Sequence, residues 1–260
     1  MTSTRQVALI TGAGSGIGLA TADGMAAAGR AVVCVDIDEQ AATAAADKVR
    51  AHGGEVLALA ADAGDVEAIE RMLDATIEQF GQLDVIVNNA GVTRAADIMD
   101  VTEHDWDRIH RVNAKGVFFC VQGAARRMID RGAGGRIINI ASIAGRGYKH
   151  SSNAAYAASK GAVMSLTMLA AQQLGRYDIN VNSICPGVTL TPIVQSIIAA
   201  RADDRGLTEA EVRRDYTKDI PIRRANDPED VAALAVFLAS SGARNITGQN
   251  YNIDGGLVPT

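Results

Sequence analysis

The chain has 260 residues, of which 48% are hydrophobic and 21% charged, a composition typical of a globular protein that buries a full core. Its net charge of -5, its scattered basic residues and its 4% aromatic content argue against a nucleic-acid surface. No apolar stretch reaches the roughly 18 residues that a membrane span needs, and the polar residues 1–6 leave no room for a signal peptide.

The cysteines and histidines give no sign of a disulfide or a metal centre. Cys34, Cys120 and Cys185 are odd in number, lie in apolar surroundings and form no Cys-x-x-Cys pair, which predicts buried, reduced thiols. The histidines show no metal-ligand spacing either; they are His52, His104, His110 and His150. We therefore expect a soluble, cytoplasmic protein without a metal.

Short apolar runs alternate with longer helical stretches along the chain. Runs of about four to six apolar residues suit strands that are buried on both faces of a parallel sheet. Strands are predicted at residues 7–10, 31–35, 56–61, 83–87, 136–141, 179–184 and 250–253. Helices are predicted at residues 16–28, 39–51, 66–80, 103–131 and 156–174. About seven parallel strands with helices on both faces describe one α/β domain, a doubly wound sheet of the Rossmann type.

One insertion, residues 186–226, breaks this alternation with Gly, Pro and many charges. Short helical patterns occur within it at 193–200 and 208–216, and the second begins with Thr208 as N-cap and Glu211 as its capping-box partner. Doubly wound folds bind ligands at the carboxyl ends of their strands, so we expect this insertion to cover a substrate. A surface excursion without a function is the alternative.

A glycine-rich segment, residues 11–18, connects the first strand to the first helix. Its glycines allow a tight turn and close approach of a pyrophosphate, while the helix N-terminus offers free N–H groups and the positive end of a dipole. Cofactor contacts are predicted from Gly12, Ser15, Gly16, Ile17 and Gly18.

Two aspartates at strand ends bear on the choice of cofactor. Asp36 ends the second strand, where a carboxylate accepts hydrogen bonds from both adenosine ribose hydroxyls. It would also repel a 2′-phosphate, and the neighbouring Ile37 and Ser15 carry no compensating charge, so the sequence favours NAD over NADP. Asp62, at the end of the third strand, is predicted to reach the adenine edge.

Tyr156 and Lys160 are four residues apart, a spacing that puts both side chains on one face of a helix. A nearby cation favours phenolate over phenol, so the pair predicts a tyrosine with a lowered pKa that acts as a general acid/base. Taken alone, the pair is equally compatible with a surface helix on which the two stems pack together.

Together these motifs resemble the short-chain dehydrogenase/reductase family over nearly the whole chain. They follow the order and the approximate spacing of that family, and they are residues 11–18, Asn88-Asn89-Ala90-Gly91, Asn113, Ser142, Tyr156 with Lys160, and Pro186-Gly187.

The resemblance implies a role for each motif. Ser142 would hold the substrate oxygen beside the phenol of Tyr156, which would move the proton. Lys160 would lower the pKa of Tyr156 and bind the nicotinamide ribose, and Asn113 would bind a water that relays protons between Lys160 and solvent. Further cofactor contacts are predicted at Ile37, Asp62, Ala63, Asn89, Ala90, Gly91, Tyr156, Pro186, Gly187, Val188 and Thr191.

The reaction implied is the NAD-linked interconversion of a secondary alcohol and its ketone. Hydride transfer needs a nicotinamide and a base poised near the working pH. The chain looks like members that act on small diols, polyols and sugars, and such members are commonly homotetramers. Substrate contacts are predicted at Ser142, Ala144, Tyr148, Asn153 and Gly187.

Two other functions stay open at this point. A 3-ketoacyl-(acyl carrier protein) reductase would use Arg126, Arg127 and Arg131 as a basic patch for its carrier, although Asp36 argues against its usual NADP. A protein that binds NAD without turnover is the second, and it would need none of the catalytic residues.

Overall fold

The computed structural model describes residues 5–51 and 53–259. Residues 1–4, His52 and Thr260 lie outside this range, and so does most of the segment on which the signal-peptide prediction depends. No helix within the range has the length and apolar character that crossing a bilayer requires.

Seven parallel strands form one sheet, as predicted. They are β1 Val7–Thr11, β2 Ala31–Asp36, β3 Val56–Ala60, β4 Val85–Asn88, β5 Gly135–Ile140, β6 Ile179–Pro186 and β7 Asn250–Ile253. Their spatial order is β3-β2-β1-β4-β5-β6-β7, so β1 pairs with both β2 and β4 and the order reverses between β1 and β4. That reversal is the switch point at which doubly wound sheets bind their ligands.

Helices cover both faces of the sheet. They are α1 Gly16–Ala27, α2 Glu39–Ala51, α3 Val66–Phe80, α4 Glu103–His110, α5 Val117–Arg131, α6 Ala154–Leu174, α7 Pro192–Arg205, α8 Glu209–Thr217 and α9 Pro228–Leu238. Successive residues of β1 point to opposite faces: Val7 and Leu9 join one apolar core, and Ala8 and Ile10 join the other. This double burial is why the strands read as unbroken apolar runs.

The helices correct the sequence prediction at two places. The helix predicted at 103–131 is interrupted by a π-helical turn, Arg111–Gly116, which separates α4 from α5. Helix α9 was not predicted, although Asp227 and Asp230 form a capping box around Pro228 at its start.

Within the insertion, the capping box of Thr208 and Glu211 starts α8 as predicted. Helix α7 continues to Arg205, beyond the predicted end at residue 200, and stops at Gly206, whose φ is +62°. The two helices share a small apolar cluster of their own, built on Ile198, Ala202 and Val212.

Candidate active site

The glycine-rich turn after β1 is held in shape by Asn89, which follows β4. The Asn89 Nδ2 donates to the carbonyl oxygens of Thr11 at 2.9 Å and Gly12 at 3.0 Å, and the Thr11 Oγ1 accepts from the Asn89 and Ala90 amides. Gly12 has a φ of +64°, and a Cβ added at Gly18 would lie 1.9 Å from the Gly12 carbonyl oxygen. The turn can therefore exist only with glycine at both positions.

The N-terminus of α1 offers a binding surface for an anion. The N-cap of α1 is Ser15, which is exposed and whose side chain makes no capping hydrogen bond. The first turn of α1 contains no acidic residue. Thr191, the N-cap of α7, lies against this turn, since a Cβ added at Gly16 would be 3.1 Å from the Thr191 Cγ2. Free N–H groups, a free hydroxyl and a glycine cradle suit the pyrophosphate of a dinucleotide. Ile17, half-buried, is the next residue along α1.

Asp36 lies beside the same turn at the end of β2. Its Oδ2 accepts from the Gly14 amide at 2.9 Å and its Oδ1 accepts from the Asp38 amide at 3.2 Å, which leaves each oxygen a lone pair for a further donor. A Cβ at Gly14 would approach Asp36 Oδ2 to 2.8 Å, and the neighbouring Ile37 is 70% exposed. Two free acceptor positions on a carboxylate suit two hydroxyl donors, such as those of a ribose.

Asp62, after β3, is tied to the π-helical turn. Its Oδ2 accepts from Arg111 at 2.7 Å and its Oδ1 from the Gly64 amide at 2.8 Å. Burial works to raise the pKa of Asp62, but the hydrogen bonds from Arg111 and Gly64 outweigh it and lower the pKa. Next to it, the Ala63 carbonyl would be 1.9 Å from a Cβ at Gly116. Contact of Asp62 and Ala63 with adenine stays a prediction.

Three predicted catalytic residues converge at the carboxyl edge of β5. Ser142 follows this strand, and its Oγ accepts from the Ala144 amide at 3.1 Å. Tyr156 and Lys160 extend from the first turns of α6, with the Lys160 Nζ 5.8 Å from the Tyr156 ring centroid. Lys160 is 3% exposed, and its Nζ donates to the Ile140 carbonyl at 2.7 Å.

The electrostatics of the pair correct one expectation. Burial raises the pKa of the Tyr156 phenol, and the hydrogen bond with Ser142 offsets this only in part. Burial also lowers the pKa of Lys160, to about 8. The protein groups alone therefore do not move the Tyr156 pKa toward neutrality, because the burial of the phenol outweighs its hydrogen bond with Ser142.

Asn113 lies in the π-helical turn and is fully buried. Its Oδ1 accepts from the Val92 amide at 2.8 Å, and its Nδ2 donates to the Val92 carbonyl at 2.9 Å and to Ser159 Oγ at 3.2 Å. Gly91 lies between Asn113 and Lys160, since a Cβ there would be 3.3 Å from Asn113 Oδ1 and 3.5 Å from Lys160 Nζ. The side chain keeps one Oδ1 lone pair for the predicted water.

The remaining residues predicted to contact the cofactor lie at the end of β6. Pro186 ends that strand, and the Gly187 amide donates to the Ile253 carbonyl at 2.8 Å. The Val188 carbonyl accepts from the Asn226 amide at 2.8 Å, which closes the base of the insertion.

The residues predicted to contact the substrate differ in burial, and their contact with a substrate stays a prediction. Ala144 is buried, and its backbone amide donates to Ser142 Oγ. Tyr148 is half-buried, and burial together with the negative charge of Asp219 raises the pKa of its phenol. Asn153 is 5% exposed and is the N-cap of α6, where its side chain accepts a hydrogen bond from the Tyr156 amide. The sequence did not indicate that Asp219 lies near Tyr148 or that Asn153 bonds to Arg94, because these residues come together only in the folded chain.

The three cysteines are free and buried, as predicted. Among the residues that the structure describes, no group of three or more His, Cys, Asp or Glu side chains could hold a metal ion.

Comparison with known proteins assigns the family. A family model described as enoyl-(acyl carrier protein) reductase matches residues 12–258. The fold superposes on a short-chain type dehydrogenase/reductase from Mycobacterium marinum with a TM-score of 0.89 and 33% identity, over 98% of this chain and 96% of that chain. The chain belongs to the short-chain dehydrogenase/reductase family.

Two further members of the family are similar over nearly their whole length. Galactitol 2-dehydrogenase of Agrobacterium fabrum is 40% identical over 251 residues, 96% of each protein. The structure of an NAD⁺-bound xylitol dehydrogenase has a TM-score of 0.89 and 32% identity, over 98% of this chain and 100% of that chain. The protein is thus an oxidoreductase with the fold of this family.

Proposed function

We propose that the protein is an NAD(H)-dependent dehydrogenase that interconverts a secondary alcohol of a polyol or sugar-like substrate and its ketone. The observation that carries the proposal is the convergence of Ser142, Tyr156 and Lys160 at the carboxyl edge of β5, with Asn113 behind them. The glycine turn lies at the same edge of the sheet, where the Gly14 amide donates to Asp36.

In the oxidative direction, the alcohol loses its hydroxyl proton to Tyr156 as its carbinol C–H bond breaks. The glycine turn and Asp36 would hold the cofactor, which would supply a hydride acceptor and a positive charge when bound. Burial keeps the phenol neutral at rest, so its deprotonation needs cations nearby. Lys160, buried with its Nζ 5.8 Å from the Tyr156 ring centroid, is the cation that the protein itself places nearby. The proton that Tyr156 gives up passes to solvent through the water predicted at Asn113.

The choice of NAD over NADP is supported by Asp36. Within the described residues, its carboxylate is hydrogen-bonded by the backbone amides of Gly14 and Asp38 and by no cation. A 2′-phosphate placed there would meet a like charge without compensation. The related xylitol dehydrogenase, whose crystal structure holds NAD⁺, points the same way.

A polyol or sugar-like substrate is supported by the relatives that act on galactitol and xylitol. The rival, an acyl-carrier-protein reductase, is favoured by the description of the matching family model. The basic patch predicted for that rival is weakened in the structure, because Arg127 pairs with Glu70 and Asp74, and Arg131 pairs with Asp84. Of the three arginines, Arg126 alone is exposed.

We further propose that the insertion, residues 186–226, covers the substrate. Its first helix, α7, is capped by Thr191 against the cofactor turn, and α7 and α8 form an apolar cluster of their own. This arrangement supports a cover that is anchored at the cofactor end and packs independently above the site.

A cytoplasmic homotetramer is also proposed. Three free, buried cysteines suit a reducing compartment. Phe118 on α5 and Met168 and Leu169 on α6 are 44%, 45% and 55% exposed, as expected of helices that pair with a second copy. Light scattering after size exclusion tests this: Leu169→Glu should lower the mass, and a wild-type monomer would contradict the proposal.

A substrate panel tests the function. The enzyme is mixed with NAD⁺ or NADP⁺ and with polyols, sugars, simple secondary alcohols or 3-hydroxyacyl thioesters at about pH 9, where oxidation is favoured, and reduced cofactor is followed by absorbance. We expect turnover with NAD⁺ and polyols. Turnover with acyl thioesters alone would favour the rival, and NAD⁺ binding without any turnover would favour a sensor.

A further inference from the structure

Asn153 makes more contacts than an N-cap requires. Its Oδ1 accepts from the Tyr156 amide at 2.7 Å, which is the capping bond of α6. Its Nδ2 donates to the Arg94 carbonyl at 2.6 Å and reaches Thr93 Oγ1 at 3.4 Å. A cap needs only the acceptor, so the donor half of this buried amide serves another purpose.

The partner of that donor is a loop, residues 91–96, which we call the bracket loop because it joins two catalytic elements. On one side, both backbone polar groups of Val92 bond to the side chain of Asn113. On the other, the Thr93 and Ser152 hydroxyls are hydrogen-bonded at 2.6 Å, and the Ala96 amide donates to the Ser152 carbonyl. The loop thus spans the distance between the π-helical turn and the start of α6.

Arg94 anchors the bracket loop to α4. Its guanidinium donates to both carboxylate oxygens of Asp105, at 2.6 and 2.5 Å, and to the Asp100 carbonyl at 2.8 Å. Asp105 is 7% exposed and completes the capping box of α4 with Thr102. A bidentate pair of this kind fixes both the distance and the orientation of the groups that it joins.

Tyr156 depends on such an anchor because of its place in α6. It is the third residue of the helix, in the first turn, where backbone N–H groups have no partner within the helix and the end frays. A general base must be held within hydrogen-bonding reach of the proton that it removes, and small misplacements cost large factors in rate.

We propose that Asp105, Arg94 and Asn153 form a relay of positioning residues that holds the first turn of α6, and with it Tyr156, in the reactive position. This inference rests on the proposed function of Tyr156. None of the three residues touches the reacting atoms, so their effect falls on kcat through the placement of the phenol.

Two substitutions separate this role from capping. Asn153→Ser keeps an acceptor for the helix, but its shorter side chain loses the Nδ2 group that donates to the Arg94 carbonyl. Asp105→Asn removes the charge at the far end of the relay. Ser240→Ala is the matched control, because Ser240 Oγ accepts from the Gly242 amide in a cap that shares no hydrogen bond with α6 or the bracket loop. We expect kcat to fall about tenfold in Asn153→Ser and about threefold in Asp105→Asn, with KM for NAD⁺ within about twofold.

The double variant gives a readout that a purely structural role would not move. If the residues act as one relay, the loss of kcat in Asn153→Ser/Asp105→Asn is smaller than the product of the two single losses. A full product of the two losses, or a kcat within about twofold of wild type in Asn153→Ser, would overturn the relay.

Hydrogen exchange on the cofactor-free protein tests the same idea without turnover. The amides of residues 154–158 should exchange about tenfold faster in Asn153→Ser and in Asp105→Asn, and at the wild-type rate in Ser240→Ala. Unchanged exchange in the first two variants overturns the relay. Full activity of Tyr156→Phe would instead overturn the proposed function, so the two failures are distinguishable.

Discussion

Gly18→Ala should damage cofactor binding at a position that never touches the reacting atoms. A Cβ at residue 18 would lie 1.9 Å from the Gly12 carbonyl oxygen and 2.6 Å from Asn89 Nδ2, whereas ordinary contact begins at 3.4 Å. The first neighbour is backbone, so the turn and α1 must separate by about 1.5 Å. This shift also breaks the hydrogen bonds that Asn89 makes to the turn.

The expected magnitudes follow from that displacement. Overpacking of this kind costs about 1–3 kcal/mol, which for a chain of this size lowers the Tm by roughly 3–10 °C. Loss of one or more hydrogen bonds to a charged pyrophosphate costs about 1.5–3 kcal/mol, so the Kd for NAD⁺ should rise roughly 10- to 100-fold.

Calorimetric titration with NAD⁺ and thermal melting of the cofactor-free protein measure the two effects. Gly175→Ala is the control: Gly175 caps α6 with a φ of -56°, and nothing lies within 4 Å of an added Cβ. It should leave NAD⁺ affinity unchanged and stabilise by up to about 1 kcal/mol. A Gly18→Ala variant that binds NAD⁺ as tightly as wild type would refute the assignment of this turn.

Three further variants test the site. Tyr156→Phe should lower kcat by at least about 10³-fold while NAD⁺ affinity stays within about threefold, and a residual rate above a hundredth of wild type would contradict the assignment. Asp36→Ala should lower the ratio of kcat/KM for NAD⁺ over NADP⁺ at least about tenfold, and an unchanged ratio would refute the repulsion. The fold lowers the pKa of Lys160 from 10.5 to about 8. Between these two pH values the unfolded chain binds more protons at Lys160 than the folded protein does, so the free energy of unfolding of the wild type rises with pH in that range. The Tm of Lys160→Met relative to wild type should therefore fall as pH is raised from about 7 to about 10, and a flat difference would contradict the burial of the ammonium.

The sheet was predictable because its signal is local. Each central strand is buried on both faces, so every residue of β1 is apolar except Thr11 at its end. The same holds for the glycine turn, whose shape depends on residues that are adjacent in sequence, with Asn89 as the distant partner. Helix α9 had a readable start at Asp227 and Pro228, and the prediction missed it.

The π-helical turn and the relay could not be read from the sequence. One extra residue in a turn barely disturbs the periodicity of the predicted helix at 103–131, and the bonds of Asn113 to Val92 arise only in the folded chain. Arg94 and Asp105 likewise carry no signal of their pairing. Asn153 was assigned to the substrate from its place in the chain, whereas its hydrogen bonds make it a cap.

The pKa of Tyr156 could not be predicted from the spacing of Tyr156 and Lys160 along the chain. The spacing of four from Tyr156 to Lys160 predicts that the two side chains are close, and they are. Burial, which depends on the whole fold, decides the direction of the shift, and it raises the pKa of the phenol. The hydrogen bond from Lys160 to Ile140 crosses from α6 to β5 and is equally invisible to local spacing.

Isotope transfer tests the central claim most directly. The enzyme is incubated with NAD⁺ and a polyol that carries deuterium on its carbinol carbons, and the nicotinamide is then examined by mass spectrometry. Direct hydride transfer predicts deuterium in the reduced nicotinamide with the wild type and, in the same short incubation, at least about 10³-fold less with Tyr156→Phe. Bound NAD⁺ that gains no label from any polyol, or equal labelling by the two proteins, would contradict the account.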